Sequence, residues 1–141
     1  MKASITPVGT PVGVDVHKRR GKVVELNQGE IKVRKSIANT REGWRELLSE
    51  LPPDAEIGLE VSTAGYFAMR VLEEAGWQER TRWVHTAGID SNRRQKNDRL
   101  DAERLARKPA AHHVDPLPEA WFPPPETRAL RLRARQRCWL A

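Results

Sequence analysis

The sequence predicts an α/β domain in which a mixed five-stranded sheet is flanked by helices. Five short apolar or alternating segments have the length of strands, the first at residues 12–16 and the last at residues 80–85. Segments whose apolar residues recur at helical spacing lie between and after them. Three strands come first, and helices then alternate with strands. This order is expected of a sheet that begins antiparallel and continues through helical crossovers.

The first three strands are predicted to form an antiparallel meander. Residues 12–16 are an apolar run that only Asp15 interrupts, which is typical of a buried strand. Residues 22–26 form the second strand, and residues 27–30 have the composition of a turn. Residues 31–37 alternate apolar with polar side chains, which indicates a half-buried third strand.

The first helix is predicted over residues 39–51. Asn39 is expected to cap it, and Glu42 three residues later completes a box-like start. Two prolines follow the segment directly and end the helix. Its apolar stripe consists of Trp44, Leu47, Leu48 and Leu51.

The remaining elements alternate between strand and helix. The fourth strand is predicted at residues 55–61 and the second helix at residues 65–75, where the following Gly76 is a typical end signal. A fifth strand is expected at residues 80–85, and a third helix at about residues 97–107. The predicted domain therefore closes with a helix that follows its last strand.

The chain is expected to divide into four parts. Residues 1–11 form a flexible tail and residues 12–108 the folded domain. Six of the ten prolines fall within residues 109–125, which predicts an extended connector. Residues 126–141 begin a basic helix whose apolar side chains have no partner left in the chain. We therefore expect a helical arm that is truncated here.

The charge, apolar content and cysteine content of the chain limit the classes of function that it can have. The 141 residues carry a net charge of +6, with −1 on residues 1–79 and +7 on residues 80–141. Such asymmetry favours a polyanionic partner. No run of 18 apolar residues and no signal peptide is present, and Cys138 is the one cysteine. These features predict a cytoplasmic protein with no membrane association, no internal disulfide and no Cys-based zinc site.

Four carboxylates are the candidate catalytic and metal-binding residues: Asp15, Glu60, Asp98 and Asp101. The first lies in the first predicted strand and the second in the fourth, while the last pair opens the third helix at a spacing that shares one helix face. The order of elements matches the ribonuclease H-like architecture. Because like charges close together are unstable without cations, the cluster predicts hard divalent metal and phosphodiester chemistry.

Three stretches, at residues 12–18, 60–66 and 96–106, resemble the N-terminal domain of the IS110/IS1111-type transposases. The resemblance covers about residues 12–140 and implies a RuvC-like domain whose Asp-Glu-Asp-Asp tetrad binds Mg²⁺ or Mn²⁺. Position by position, that tetrad is Asp15, Glu60, Asp98 and Asp101. Members recombine an insertion element with target DNA, and some are directed by an RNA that the element encodes. We expect a homo-oligomer in the full-length form.

One departure from the family pattern concerns a serine. The family has a second domain, beyond a helical arm, that carries a catalytic serine, and this chain ends at Ala141. None of its serines lies in a matching context, so no serine nucleophile is assigned. We expect the metal-binding domain alone to be inactive or nearly so.

Basic residues near the carboxylates are candidate nucleic-acid ligands. Lys18 follows Asp15 by three residues, which suits contact with a phosphate near the metals; a solvated turn lysine is the alternative. Four more flank the acidic pair of the third helix, where a surface ion network is the alternative. They are Arg93, Arg94, Lys96 and Arg99.

Two other functions stay open on the sequence alone. A stand-alone RuvC-like junction endonuclease would use the same four carboxylates, although the incomplete basic arm speaks against it. A non-catalytic relic would only bind nucleic acid and oligomerise through residues 126–140. The three hypotheses differ in whether metal binding and cleavage depend on the tetrad.

Overall fold

The computed structural model describes residues 9–28, 30–85, 102–103, 105–107 and 120–140. Five strands, three α-helices and one 3₁₀-helix have defined limits within these ranges. They are β1 Pro11–Val16, β2 Arg20–Asn27, β3 Glu30–Ala38, α1 Arg41–Glu50, β4 Glu56–Glu60, α2 Thr63–Glu74, the 3₁₀-helix Gln78–Arg80, β5 Thr81–Val84 and α3 Pro125–Leu140. Each predicted strand is confirmed to within a few residues, as are the first two predicted helices and the basic helix predicted from residue 126. Of the third predicted helix, at about residues 97–107, residues 102–103 and 105–107 are described, and they are helical.

The sheet has the strand order β3-β2-β1-β4-β5. β1, β2 and β3 pair antiparallel, which confirms the meander, whereas β4 pairs parallel with β1 and β5 pairs parallel with β4. The chain therefore crosses from the meander to the other side of β1 through α1. This mixed topology is the ribonuclease H-like arrangement that the order of elements predicts.

Both faces of the sheet are covered. On one face, Val12, Val14 and Val16 of β1 join a core with α1 and α2, in which Trp44 and Leu47 are fully buried. We call this the α1/α2 face. Because side chains alternate along a strand, Gly13 and Asp15 belong to the opposite face. A second, smaller core covers that opposite face, formed by Val24, Leu26, Ala102 and Ala106.

On the opposite face, the backbone of a helical segment lies directly against the backbone of β1. Residues 102–103 and 105–107 are helical and pack directly over Gly13. A Cβ atom at Gly13 would lie 2.0 Å from the carbonyl oxygen of Ala102 and 2.2 Å from the amide nitrogen of Ala106. Glycine is therefore required at this position, because any side chain would push the helix off the sheet.

The N-terminus of α1 differs from the prediction. Thr40, not Asn39, is the N-cap, and its hydroxyl oxygen accepts a hydrogen bond from the Gly43 amide at 3.1 Å. Asn39 has another role: its side-chain oxygen accepts from Trp44 Nε1 at 2.8 Å, and its amide donates to the carbonyl oxygen of His17. The prediction was wrong because both residues are good caps, and only the tertiary contacts distinguish them.

The segment before α3 packs against the edge of the sheet. The Ala120 amide donates to the Trp83 carbonyl oxygen at 2.6 Å, and the Phe122 ring lies edge-on to Trp83 with centroids 5.1 Å apart. α3 itself has no buried residue, and Leu130, Leu132, Trp139 and Leu140 are exposed. No helix within the described ranges is long and apolar enough to cross a membrane.

We expect Gly13→Ala to lower the free energy of unfolding by about 1–3 kcal/mol, because the added methyl group overlaps the backbone of the helix above it. Urea denaturation followed by circular dichroism measures the change. Gly76→Asn is the matched control, since Gly76 has a φ of +78° with nothing within 4 Å of an added Cβ, and asparagine tolerates that conformation. An unchanged stability of Gly13→Ala would contradict the close packing.

Candidate metal-binding site

Asp15 and Glu60 lie side by side on neighbouring central strands. β1 and β4 are parallel, with Gly13 opposite Gly58 and Val14 opposite Leu59. Asp15 and Glu60 are the next residues of each strand, so the same register sets them next to each other. Both follow a paired glycine by two residues, and both therefore belong to the opposite face of the sheet. Two carboxylates are thus brought to adjacent positions at the carboxyl ends of parallel strands.

The Asp15 side chain is held within the protein. The residue is 6% exposed, although it carries a carboxylate in the middle of an apolar strand. His17 Nε2 lies 2.9 Å from Asp15 Oδ2, and this hydrogen bond requires a hydrogen on Nε2. Because burial of an uncompensated polar group costs free energy, the hydrogen bond from His17 offsets part of the cost of burying the Asp15 side chain.

The Glu60 carboxylate is differently placed. Glu60 is half-buried at the end of β4, and its carboxylate has no hydrogen bond or ion pair within the described part of the chain. Its backbone oxygen accepts from Trp83 Nε1 at 3.3 Å. Ser62, two residues later, caps α2 by accepting from the Gly65 amide at 2.9 Å. The backbone around Glu60 is therefore fixed while its carboxylate stays available to a ligand.

Basic residues lie on the strands on either side of the acidic pair. Lys22 in β2 is the cross-strand partner of Asp15 and is exposed. Arg82 in β5 pairs with Gly58 and so shares the face of Glu60. Lys18, the predicted phosphate ligand, is exposed in the turn between β1 and β2. The sequence reasoning did not identify His17, Lys22 or Arg82 as neighbours of the site, since Lys22 and Arg82 become neighbours only through strand register.

The other predicted site residues lie outside the described residues. They are Asp98, Asp101, Arg93, Arg94, Lys96 and Arg99. One adjacent residue is informative: Ala102, which directly follows Asp101 in sequence, is fully buried over Gly13. Gly13 and Asp15 share a sheet face. Ala102 therefore packs against the face of the sheet that carries Asp15.

The donors at this edge suit a hard divalent cation. Asp15 and Glu60 offer carboxylate oxygens, which Mg²⁺ prefers over nitrogen or sulfur. Within the described ranges, no group of three or more His, Cys, Asp or Glu residues is arranged to hold a metal. Asp15 and Glu60 are two of the four metal ligands that the sequence predicts, and the other two lie outside the described residues.

Most of the chain matches the model of a known protein family. The model of a transposase family, the DEDD transposases of IS110 type, matches residues 12–141. The chain belongs to this transposase family. The match begins in β1 of the IS110-type transposase domain and extends through α3, so it includes both Asp15 and Glu60. A comparison with curated proteins found no match.

Membership confirms the resemblance that three short stretches of sequence suggest. The first of those stretches contains Asp15 and the second begins at Glu60, the two residues that strand pairing brings together in the transposase domain. The assignment of Asp98 and Asp101 to the same site stays a prediction.

In metal-free buffer at pH 7, we expect Glu60→Gln to raise the free energy of unfolding by about 0.2–1 kcal/mol, because it removes the repulsion between neighbouring carboxylates. Urea denaturation in the presence of a chelator measures this difference. Glu79→Gln, at an exposed position of the 3₁₀-helix, is the control and should change stability by less than about 0.5 kcal/mol. A clear loss of stability in Glu60→Gln would show that Glu60 is a structural residue.

Proposed function

We propose that this chain is the metal-binding domain of an insertion-sequence transposase that acts on DNA phosphodiesters with Mg²⁺ or Mn²⁺, and that the domain alone is inactive or nearly so. The observation that carries the proposal is the adjacency of Asp15 and Glu60 on parallel central strands. Two carboxylates at this spacing repel each other unless a cation lies between them. In a transposase, the expected use of such a cation is phosphodiester chemistry.

Asp98 and Asp101 complete the proposed ligand set. Their spacing of three residues allows both to share one helix face. Ala102, the next residue, packs on the same sheet face as Asp15, which supports a short path from this pair to the strand carboxylates. A site with four carboxylates has enough negative charge for two divalent cations.

The side chains of the domain have separable roles in this proposal. Asp15 and Glu60 bind the metal, and His17 orients Asp15 through its contact with Oδ2. The exposed Lys22 and Lys18 attract the phosphates of the DNA strand. Metal ions held by these carboxylates would supply Lewis-acid chemistry, which activates an oxygen nucleophile for attack on the phosphorus and stabilises the leaving oxygen of the phosphodiester.

We also propose the partners and setting of the full-length protein. DNA is the polyanion that suits the net charge of +7 on residues 80–141. An element-encoded RNA, a homo-oligomer and a cytoplasmic location complete the proposal, and they rest on the family.

Metal binding tests the proposed function directly. We expect Mg²⁺ at a hundred times its dissociation constant to add about 2.7 kcal/mol to the stability of the chain, which raises Tm by several degrees. In Asp15→Asn and Glu60→Gln, Mn²⁺ affinity measured by calorimetry should fall by roughly tenfold or more, because each variant removes a ligand oxygen.

Glu79→Gln should bind Mn²⁺ as the unchanged chain does, since its carboxylate is exposed and lies outside the site. The same affinity in all four proteins would refute the metal assignment and favour a non-catalytic relic. A loss in one strand variant only would contradict a site shared by the two strands.

The position of DNA relative to the metal can be measured without transposition. Fe²⁺ bound in place of Mg²⁺ produces hydroxyl radicals in the presence of ascorbate and peroxide, and these cut DNA only near the ion. We expect localised cuts on a bound duplex with the unchanged chain and with Glu79→Gln, and a strong reduction with Glu60→Gln. Cuts that persist unchanged in Glu60→Gln would separate DNA binding from the carboxylates.

A further inference from the structure

A second feature of the molecule lies away from the carboxylate pair. A cleft of about 780 Å³ opens between α3, the start of α2 and the end of β5. Its lining includes Arg70, Arg128, Arg131 and Arg135, together with His85, and no acidic residue among the described lining residues. Four arginines around one cleft create a strong positive potential, which attracts polyanions.

The arginines of the cleft divide into one structural residue and three available ones. Arg128 donates to the Pro123 carbonyl oxygen at 2.8 Å, pairs with Glu73 at 2.9 Å and lies over the Phe122 ring, so it anchors α3 to the domain. Arg70, Arg131 and Arg135 are exposed and have no ion pair with a described acidic residue. Arg70 also helps to lower the pKa of Glu74, and Arg131 lies over Trp121, but the exposure of all three guanidinium groups leaves them accessible to phosphate oxygens.

Aromatic side chains lie among these charges. Trp121 is 64% exposed, and the Arg131 guanidinium lies 5.4 Å from the centre of its ring. Tyr66 is 37% exposed, and its ring contacts Phe122 at a centroid distance of 5.4 Å, which fixes its orientation. Exposed aromatic rings interleaved with arginines are the combination that binds unpaired nucleotides, since the rings stack on bases and the arginines contact phosphates.

The cleft lies at the same end of the sheet as the candidate metal-binding site, but on the α1/α2 face. Val61, which directly follows Glu60, is part of its lining, as is His85 at the end of β5. Val61 packs with the core of the α1/α2 face, so the cleft and the acidic pair lie on different faces at the same end of the sheet. The paired bases of a duplex are not exposed for stacking on Trp121, whereas an unpaired strand presents them.

We propose that this cleft binds an unpaired DNA strand, with bases on Trp121 and Tyr66 and phosphates on Arg70, Arg131 and Arg135. The choice of DNA over RNA rests on the proposed function, in which the transposase acts on DNA. The binding itself depends on arginines and rings and does not require metal.

Fluorescence anisotropy of a labelled oligo-dT of about 15 nucleotides, titrated with the full chain in EDTA, tests the proposal. Arg135→Ala and Arg131→Ala should each weaken binding, and the slope of log affinity against log salt should fall by roughly 0.7 for each phosphate that is no longer neutralised. Trp121→Ala should weaken binding by roughly five- to a hundredfold, and Trp121→Phe by less. Both helical arginines and Trp121 are exposed, so folding is preserved.

Arg45→Ala is the matched control, because Arg45 is an exposed helical arginine on α1, outside the cleft. It should retain affinity within about twofold. Equal losses in Arg45→Ala and Arg135→Ala, or no loss in Trp121→Ala, would overturn the assignment of the cleft. Tighter binding of oligo-rU than of oligo-dT would overturn the choice of DNA.

This test and the metal test fail independently. The oligonucleotide titration is done in EDTA, so absence of metal binding at Asp15 and Glu60 does not affect it. Glu60→Gln should bind the oligonucleotide at least as well as the unchanged chain, because it removes one negative charge near the end of the cleft. A large loss in Glu60→Gln would contradict a site that is separate from the acidic pair.

Discussion

The parallel pairing of β1 with β4 at the centre of the sheet is the contact on which the rest of the structure depends. It joins the antiparallel meander to the second half of the domain and sets Gly13 opposite Gly58. The same register aligns Asp15 with Glu60, two positions further along. A shift of one residue would turn one of these carboxylates into the core under α1 and α2, because side chains alternate between the faces. Stability and site geometry therefore follow from the same register.

The opposite face of the sheet combines tight packing with unfavourable charge. Gly13 admits a helix at backbone contact distance, while Asp15, on the same face, keeps a carboxylate in a nearly buried position. His17, Lys22 and Arg82 place polar or positive groups around the two carboxylates. These groups offset part of the repulsion between the carboxylates. The repulsion that remains costs stability, and proteins retain this kind of cost mainly at functional sites.

Among the described residues, α3 is held against the rest of the domain near its N-terminal end. Arg128 and the contacts of Phe122 hold its start against α2 and β5, while the rest of the helix is exposed. Its arginines form one wall of the cleft, and Leu130 and Leu132 remain on its surface. The helix thus contributes to the basic surface of the transposase domain without contributing to its core. This explains why a helix with no buried residue can still have a defined position.

The sequence by itself determined the elements, their order and the candidate carboxylates, because these depend on local properties. Apolar runs and helical periodicity revealed β1 to β5 and the helices, and a charged Asp15 inside an apolar strand stood out as costly to bury. The choice between Asn39 and Thr40 as cap, the pairing of Lys22 with Asp15 and the approach of Ala102 to Gly13 were decided only by the tertiary structure. Strand register and helix docking join residues that are distant in sequence, and no local pattern encodes which of them meet. The cleft beside α3 belongs to the same class, since its arginines and aromatic rings come from separate elements that only folding brings together.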